Sequence, residues 1–342
     1  MQVSEIGNVE ALERLRPEWV ALWERTPTAG PFQHPDWLLV WWRYLGHGEL
    51  LVLTVRDRSN LIAVAPFYIH ADPAKGVRQL TLLGNGISDS CDILLDERVP
   101  ASAPTLIAAL LARQEYWNCY DFRDVPAGSV LTSTIARQLG GSVEEDTPCV
   151  VVALHDGWLA EGAGALAHKF LADLRRCRRR ADELGRLHVG CVAPDEISEA
   201  LDGLFSLHAC RWSRFGTAGV LNGSDLEAFH REVAQRFAKR RWLRLYRLDF
   251  GTRMAAANYG FCLRSRAYSY IGGFDPDLAS LGPGRIIIHQ AICDAAQEGA
   301  VEFDFLRGAE EYKYRWGGST RKQHRLRSQP SFQEQLNEPQ AQ

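Results

Sequence analysis

A chain of 342 residues is long for one hydrophobic core and suits two. With 46% hydrophobic and 24% charged residues it has ordinary globular composition, and a net charge of −3 argues against a protein dedicated to coating nucleic acid or an anionic membrane. The 8 cysteines (Cys91, Cys119, Cys149, Cys177, Cys191, Cys210, Cys262, Cys293) form no C-x-x-C pair, so they read as small buried residues in a reducing compartment, and no metal is expected.

The opening MQVSEIGNVEALERL lacks the basic and apolar regions of a signal peptide, and no apolar run approaches the ~20 residues that span a bilayer, which places the protein in the cytoplasm. The first clear helix is PDWLLVWWRYLG, in which Trp37, Trp41 and Tyr44 fall at helical spacing, as core packing or as a platform for stacking sugars. ELLVLTVRDRSNLIAVAPFYIH reads as a hairpin turned at Asp57 to Asn60. RQLTLLG and CDILLD follow as short strands, ASAPTLIAALLARQEYW as a helix and CYDFRDV as a strand.

Beyond a turn-rich stretch near residues 141 to 149, the same order returns after a long helical insertion. That insertion contains LADLRRCRRRADELG, with Leu166, Phe170, Leu174, Cys177, Ala181 and Leu184 as an apolar stripe and Lys169, Arg175, Arg176, Arg178, Arg179 and Arg180 mostly off it. The basic face is either solvated or binds RNA or an acidic glycan. WLRLYRLDFGTRMAAANYGFCL is a second hairpin, turned at Asp249 to Thr252; RAYSYIGGF is a strand, RIIIHQAICDAAQEG a helix and VEFDFLRG the last strand. The expected organisation is two similar α/β (α+β) domains, at residues 1–149 and 150–330, each a mixed sheet flanked by helices, with a disordered tail at 331–342.

The helix from about Arg285 to Glu298 carries Ile288, Ile292 and Ala295 on one face, with Ile287 and Ala291 beside them, and Gly299 in the stop position. Strands flank it, so Ala267 to Leu306 is a β-α-β crossover with parallel strands, and its loop DPDLASLGPG sits at the carboxyl end of a strand, where ligands bind in such sheets. A helix N-terminus offers free N–H groups and about half a positive charge, which suits a phosphate. Gly282 and Gly284 let a ligand approach, Pro283 stiffens the loop, and Ser280 and Arg285 add a hydroxyl and a cation; a tight surface turn is the competing explanation. The matching stretch of the first half, DERVPASAP, is acidic and lacks glycine, so that domain is expected to hold no cofactor.

With strand, glycine-rich turn, helix and strand in place, the pattern resembles the GNAT acyltransferase superfamily. YIGGFDPDLASLGPGRIIIHQAI followed by EFDFLRGAEEYKYRWG is similar to the cellulose-biosynthesis (CelD/BcsL-like) acetyltransferases, which are related to the Fem-type peptidyltransferases with their tandem GNAT-like domains. PFQHPDWLLVWW, LHACRWSRFG and LADLRRCRRRADELG are supporting matches. The usual Q/R-x-x-G-x-G/A signature is replaced by S-L-G-P-G, which keeps both glycines.

The resemblance implies acyl transfer, as acetyl or another acyl group, from acyl-CoA to an amine or hydroxyl acceptor, a small molecule or a glycan precursor held between the domains, with tRNA as the donor carrier in the Fem-type alternative. It also implies that backbone groups of Ile271, Gly272 and Gly273 hold the donor, and that Lys313 in EYKYRWG contacts donor phosphate or acceptor. Glycines within a strand equally mark a bulge. For the base the candidates are Asp304, whose strand turns Val301, Phe303 and Phe305 to the other face, and Glu310 in the following loop. Asp304 could instead pair with an arginine such as Arg307, itself a candidate for the acceptor pocket, and Glu310 could be solvated. Tyr270 is a candidate general acid or a core aromatic. His208 and Arg211, three apart on one helix, with Trp212 beside them, could line an acceptor pocket or serve packing.

Overall fold

The computed structural model describes residues 1–154, 158, 166, 168–183, 187–213 and 223–329. The chain divides into two compact units, one formed by residues 1–42, 46–146 and 323 onward, the other by residues 43–45 and 147–322.

In the first unit, β1 (Gln2–Ile6), β2 (Glu49–Asp57), β3 (Asn60–Asp72), β4 (Val77–Leu82), β5 (Leu94–Leu95), β6 (Cys119–Pro126), β7 (Ser142–Glu145) and β15 (Gln323–Arg327) form one sheet ordered β1-β2-β3-β4-β6-β15-β7, with β5 on β3. The hairpin closes with Asp57 opposite Asn60, as the turn residues predict. Helices α1 (Val9–Arg25), α2 (Pro35–Leu45) and α3 (Ser102–Leu111) accompany it, with a short α4 (Ala136–Leu139). Trp37 and Trp41 of α2 are buried, which makes their spacing a packing feature and leaves them no face for a sugar. CDILLD yields only two strand residues, Leu94 and Leu95. Asp96, at the approach to α3, is buried and ionised: hydrogen bonds from Arg98 above all, then Arg25, outweigh burial and hold its pKa near about 2.

The C-terminal segment departs from the expected boundary at residue 330. Gln323–Arg327 pairs with β6 and β7, so it completes the first sheet and buries Leu326 there. The turn-rich stretch near residue 141 likewise contains a strand, β7. Residues 330–342, the expected tail, lie outside the described residues.

In the second unit the strands are β8 (Cys149–Ala153), β9 (Leu187–Cys191), β10 (Leu243–Phe250), β11 (Arg253–Leu263), β12 (Arg266–Phe274), β13 (Glu302–Arg307) and β14 (Ser319–Arg321), ordered β14-β8-β13-β12-β11-β10-β9. Helices α5 (His168–Glu183), α6 (Ile197–Ser213), α7 (Ser224–Lys239), α8 (Pro283–Gln297) and the single turn α9 (Glu311–Tyr314) complete it. β12 and β13 are parallel, as the crossover requires, whereas β13 and β8 are antiparallel. α8 packs on the sheet through Ile286, Ile287, Ala291, Ile292, Ala295 and Ala296, and against α5; Ile288, expected on the central face, is half-buried at the margin of this core. Gly299, at φ 80°, ends the helix region, and Ala300 N–H donates back to Ala295 O.

The stripe of α5 seats Leu174, Cys177 and Ala181 in the core, with Leu166 buried nearby, while Leu184 lies outside the described residues. Cys91, Cys119, Cys149 and Cys177 are buried, but Cys191 and Cys210 are exposed, contrary to the expectation of uniformly buried thiols. Among the described residues no helix is long and apolar enough to cross a membrane, and no cluster of three metal-ligating side chains occurs.

Candidate functional site

The parallel pairing of β12 with β13 runs from Arg266↔Glu302 to Tyr268↔Asp304 and then stops, although the strands continue to Phe274 and Arg307. Two local devices part them. On β12, Tyr259↔Ile271 is followed by Gly260↔Ser269 across the pair with β11, so Tyr270 is the extra residue of a β-bulge. On β13, Asp304 Oδ1 accepts the N–H of Leu306 at 2.7 Å, and Leu306 adopts φ 58°, a left-handed conformation that bends the strand. Glycine-rich YIGGF therefore does mark a bulge, two residues ahead of the first glycine.

The two strand glycines have different tasks. A Cβ on Gly273 would meet Leu207 Cβ at 3.2 Å and the His208 backbone N at 3.5 Å, so this buried glycine admits α6. Gly272 is exposed, and a Cβ there would make only ordinary contact with Asn258 Oδ1 at 3.6 Å. Ile271 is half-buried beside it.

The loop at the carboxyl end of β12 leads into α8 through Gly282 (φ 68°), Pro283 at the first helical position and Gly284 at the second. Arg285 and Ile286 N–H both donate to Gly282 O, at 3.0 and 3.1 Å, and Pro283 has no N–H. Gly284 N–H is the remaining donor of this first turn. Ser280 is exposed and Arg285 half-buried.

Gly282 is buried against Cys177 of α5. A Cβ there would lie 2.9 Å from Cys177 Sγ and 3.3 Å from Arg285 Nε and Nη2. A Cβ on Gly284 would touch Phe274 Cδ1 at 3.4 Å, an ordinary contact. We expect Gly282→Ala to lower stability by about 2–3 kcal/mol through left-handed strain and overpacking, and Gly284→Ala to change it by less than about 0.5 kcal/mol; denaturant unfolding of the two variants checks this. The glycines thus divide their roles, one admitting α5 and the other leaving the helix terminus accessible.

Asp304 is 3% exposed, and its second oxygen accepts from Arg321 Nη1 at 3.1 Å; Arg321 also reaches Glu302 at 2.7 Å. The pairing partner is therefore Arg321 of β14, where Arg307 was expected. Burial pushes the Asp304 pKa up to about 6, against the pull of Arg321 and the Leu306 N–H. Arg307 is half-buried at the end of β13, and its carbonyl accepts from Lys313.

Lys313 is buried, with its ammonium 2.7 Å from Arg307 O, 3.0 Å from Gly308 O and 2.9 Å from Glu310 Oε2. Its three donors are thereby used within the turn after β13, so a phosphate contact would have to displace one of them. Glu310 is exposed to solvent, as one of the two expectations had it, and pairs there with Lys313.

Tyr270 is half-buried on the bulge and belongs to an aromatic triangle that the sequence reading missed. Ring centroids lie 5.7 Å apart for His230 and Tyr270, 5.8 Å for His230 and Tyr259, and 5.9 Å for Tyr259 and Tyr270. The signal was present: His230 interrupts the apolar stripe Leu226, Phe229, Val233, Ala234, Phe237 of α7. His208 is buried on α6 and near enough to act electrostatically on His230. Arg211 and Trp212 belong to α6, but their side chains lie outside the described residues.

Burial first, then the charge of His208, lowers the His230 pKa to about 3, so the folded protein keeps this ring neutral while the unfolded chain protonates near 6.5. Below pH 6.5 the unfolded state then binds the extra proton, and stability falls as pH falls, by about 1.4 kcal/mol per unit from this group. The difference between native protein and His230→Phe in denaturant unfolding at pH 7.5 and 5 should show that slope.

A bulged strand thus parts from its parallel neighbour, with a glycine-led helix N-terminus at its carboxyl end. Residues 168–314, within the second unit, match the acetyltransferase (GNAT) domain family. No curated protein matches the chain. Among solved structures, FemX aligns over 96% of this chain and 97% of its own, at 11% identity and TM-score 0.67. The C-terminal domain (DUF2156) of a putative lysylphosphatidylglycerol synthetase from Agrobacterium fabrum covers 94% and 92%, at 13% identity and TM-score 0.60. A tandem GNAT protein from the clavulanic acid biosynthesis pathway covers 97% and 100%, at 12% identity and TM-score 0.51. The chain folds as tandem GNAT-like domains, each a mixed sheet flanked by helices.

Proposed function

We propose that the second unit binds acyl-CoA, acetyl-CoA in the simplest case, and transfers its acyl group directly to an amine or hydroxyl, in the cytoplasm. The observation that carries this reading is the coincidence of the parted strands β12 and β13 with the α8 N-terminus at their carboxyl end. The donor's diphosphate rests on Gly284 N–H and the helix dipole, with Arg285 and Ser280 beside it. Its pantetheine arm lies along β12 at Gly272 and Ile271, on the side where the pairing with β13 has ended and only β11 remains as a ladder partner.

In the transfer, the acceptor nitrogen or oxygen attacks the thioester carbonyl, the C–S bond breaks, and the departing thiolate takes a proton. Tyr270 donates it. Asp304, with its pKa raised toward neutrality, receives the acceptor's proton through a water, since its carboxylate is almost wholly buried. Sugar or polysaccharide precursors are the acceptors that the likeness to cellulose-biosynthesis acetyltransferases suggests.

A thermal-shift screen with acetyl-CoA, longer acyl-CoAs and free CoA tests the reading, because a ligand at a hundredfold its dissociation constant adds about 2.7 kcal/mol. The five arginines of α5 favour a second reading, a Fem-type transfer from aminoacyl-tRNA, in which tRNA and not CoA would raise the unfolding temperature. A shift with neither would leave a non-catalytic scaffold.

A further inference from the structure

The arginine-rich face of α5 is unused by the chemistry above. At about 100° per residue, Arg175, Arg176, Arg178, Arg179 and Arg180 fan over the arc opposite Leu174, Cys177 and Ala181. All five are exposed, as is Lys169. Arg176 pairs with Asp173 at 2.5 Å and Arg179 with Glu183 at 3.8 Å. Among the described residues Lys169, Arg175, Arg178 and Arg180 have no carboxylate partner. α5 nonetheless stands against the donor loop, since Cys177 Sγ fills the space that a side chain at position 282 would need. Arg178 is close enough to α8 for its charge, after burial, to lower the pKa of His289.

Five guanidinium groups spread over two turns and pointing outward cannot all converge on one diphosphate. Their arrangement fits an extended acidic surface. Asp173 before the arginines and Asp182 and Glu183 after them close the basic run at both ends, so the positive patch is short, and the whole chain carries −3, a pattern suited to a small acidic protein more than to a continuous phosphate backbone. We infer that the outward face of α5 docks an acidic carrier protein, which presents the acyl group on a phosphopantetheine arm beside the Gly282–Gly284 turn. The inference rests on the donor reading above and deepens it: the thioester chemistry is unchanged, the arm's single phosphodiester takes the place of the pantetheine-side phosphate of CoA, and the rest of the nucleotide is replaced by a protein.

The test is fluorescence anisotropy of a labelled, phosphopantetheinylated acyl carrier protein titrated with the full chain, with a labelled oligoribonucleotide as comparator. Micromolar binding of the carrier should weaken more than tenfold in Arg175→Glu/Arg178→Glu/Arg180→Glu, less in the corresponding Gln triple variant, and again on raising salt, while the CoA-induced thermal shift of both variants matches that of the native chain. Equal binding by native and Glu-substituted chains, no carrier binding by the native chain, or tighter binding of the oligoribonucleotide would overturn the inference. A CoA shift without carrier binding removes the docking surface alone; carrier binding without a CoA shift removes the donor seat alone.

Discussion

Lys313→Met is expected to lower the unfolding free energy by about 3 kcal/mol. The ammonium it removes is buried, and the carbonyls of Arg307 and Gly308 would keep their burial while losing a charged donor, at about 1–3 kcal/mol for each group left unpaired. Methionine has nearly the shape of lysine's stem, so the loss reports the polar contacts more than a cavity. Glu310→Gln should cost less than about 1 kcal/mol, because the Glu310 side chain is 57% exposed and its ion pair is solvated. Denaturant unfolding of the two variants separates the cases. Were Lys313→Met as stable as the native protein, the ammonium would not be a clamp on the turn and would be available to a ligand.

Gly284→Asp should abolish CoA binding and leave the protein folded. The position has no left-handed constraint, its Cβ meets only Phe274 at ordinary distance, and a carboxylate in the first turn of a helix is itself favourable by about 0.5 kcal/mol. The same carboxylate would face a diphosphate at the one unengaged N–H of the turn. A loss of at least about a hundredfold in affinity, equivalent to about 2.7 kcal/mol, is expected, and a thermal shift that persists in the variant would locate the donor elsewhere.

Much of this site could be read from residues alone, where the signals were local. RAYSYIGGF coincides with β12, and the S-L-G-P-G turn leads into α8, because glycine, proline and strand periodicity act within a few residues. The bulge was foreseeable from its glycines, though its extra residue is Tyr270. What stayed hidden depends on partners distant in sequence. QHRLR looks like a charged terminus, yet its mates Asp121 to Pro126 lie some two hundred residues earlier. The guanidinium beside Asp304 comes from Arg321, on a three-residue strand too short to announce itself. Lys313 resembles a surface lysine in any window, and only the turn of β13 into α9 reveals its burial. His230 was the exception, a polar residue within an apolar stripe whose signal was local and went unread.

The central claim is that the N-terminus of α8 holds a diphosphate, and calorimetric titration of the native chain with CoA and with pantetheine addresses it most directly. The two ligands share the thiol arm and differ in the phosphates. The seat at Gly284 and Arg285 predicts that CoA binds at least about a hundredfold more tightly, with charge-assisted hydrogen bonds supplying the difference. Equal affinities, or no affinity for CoA, would contradict it.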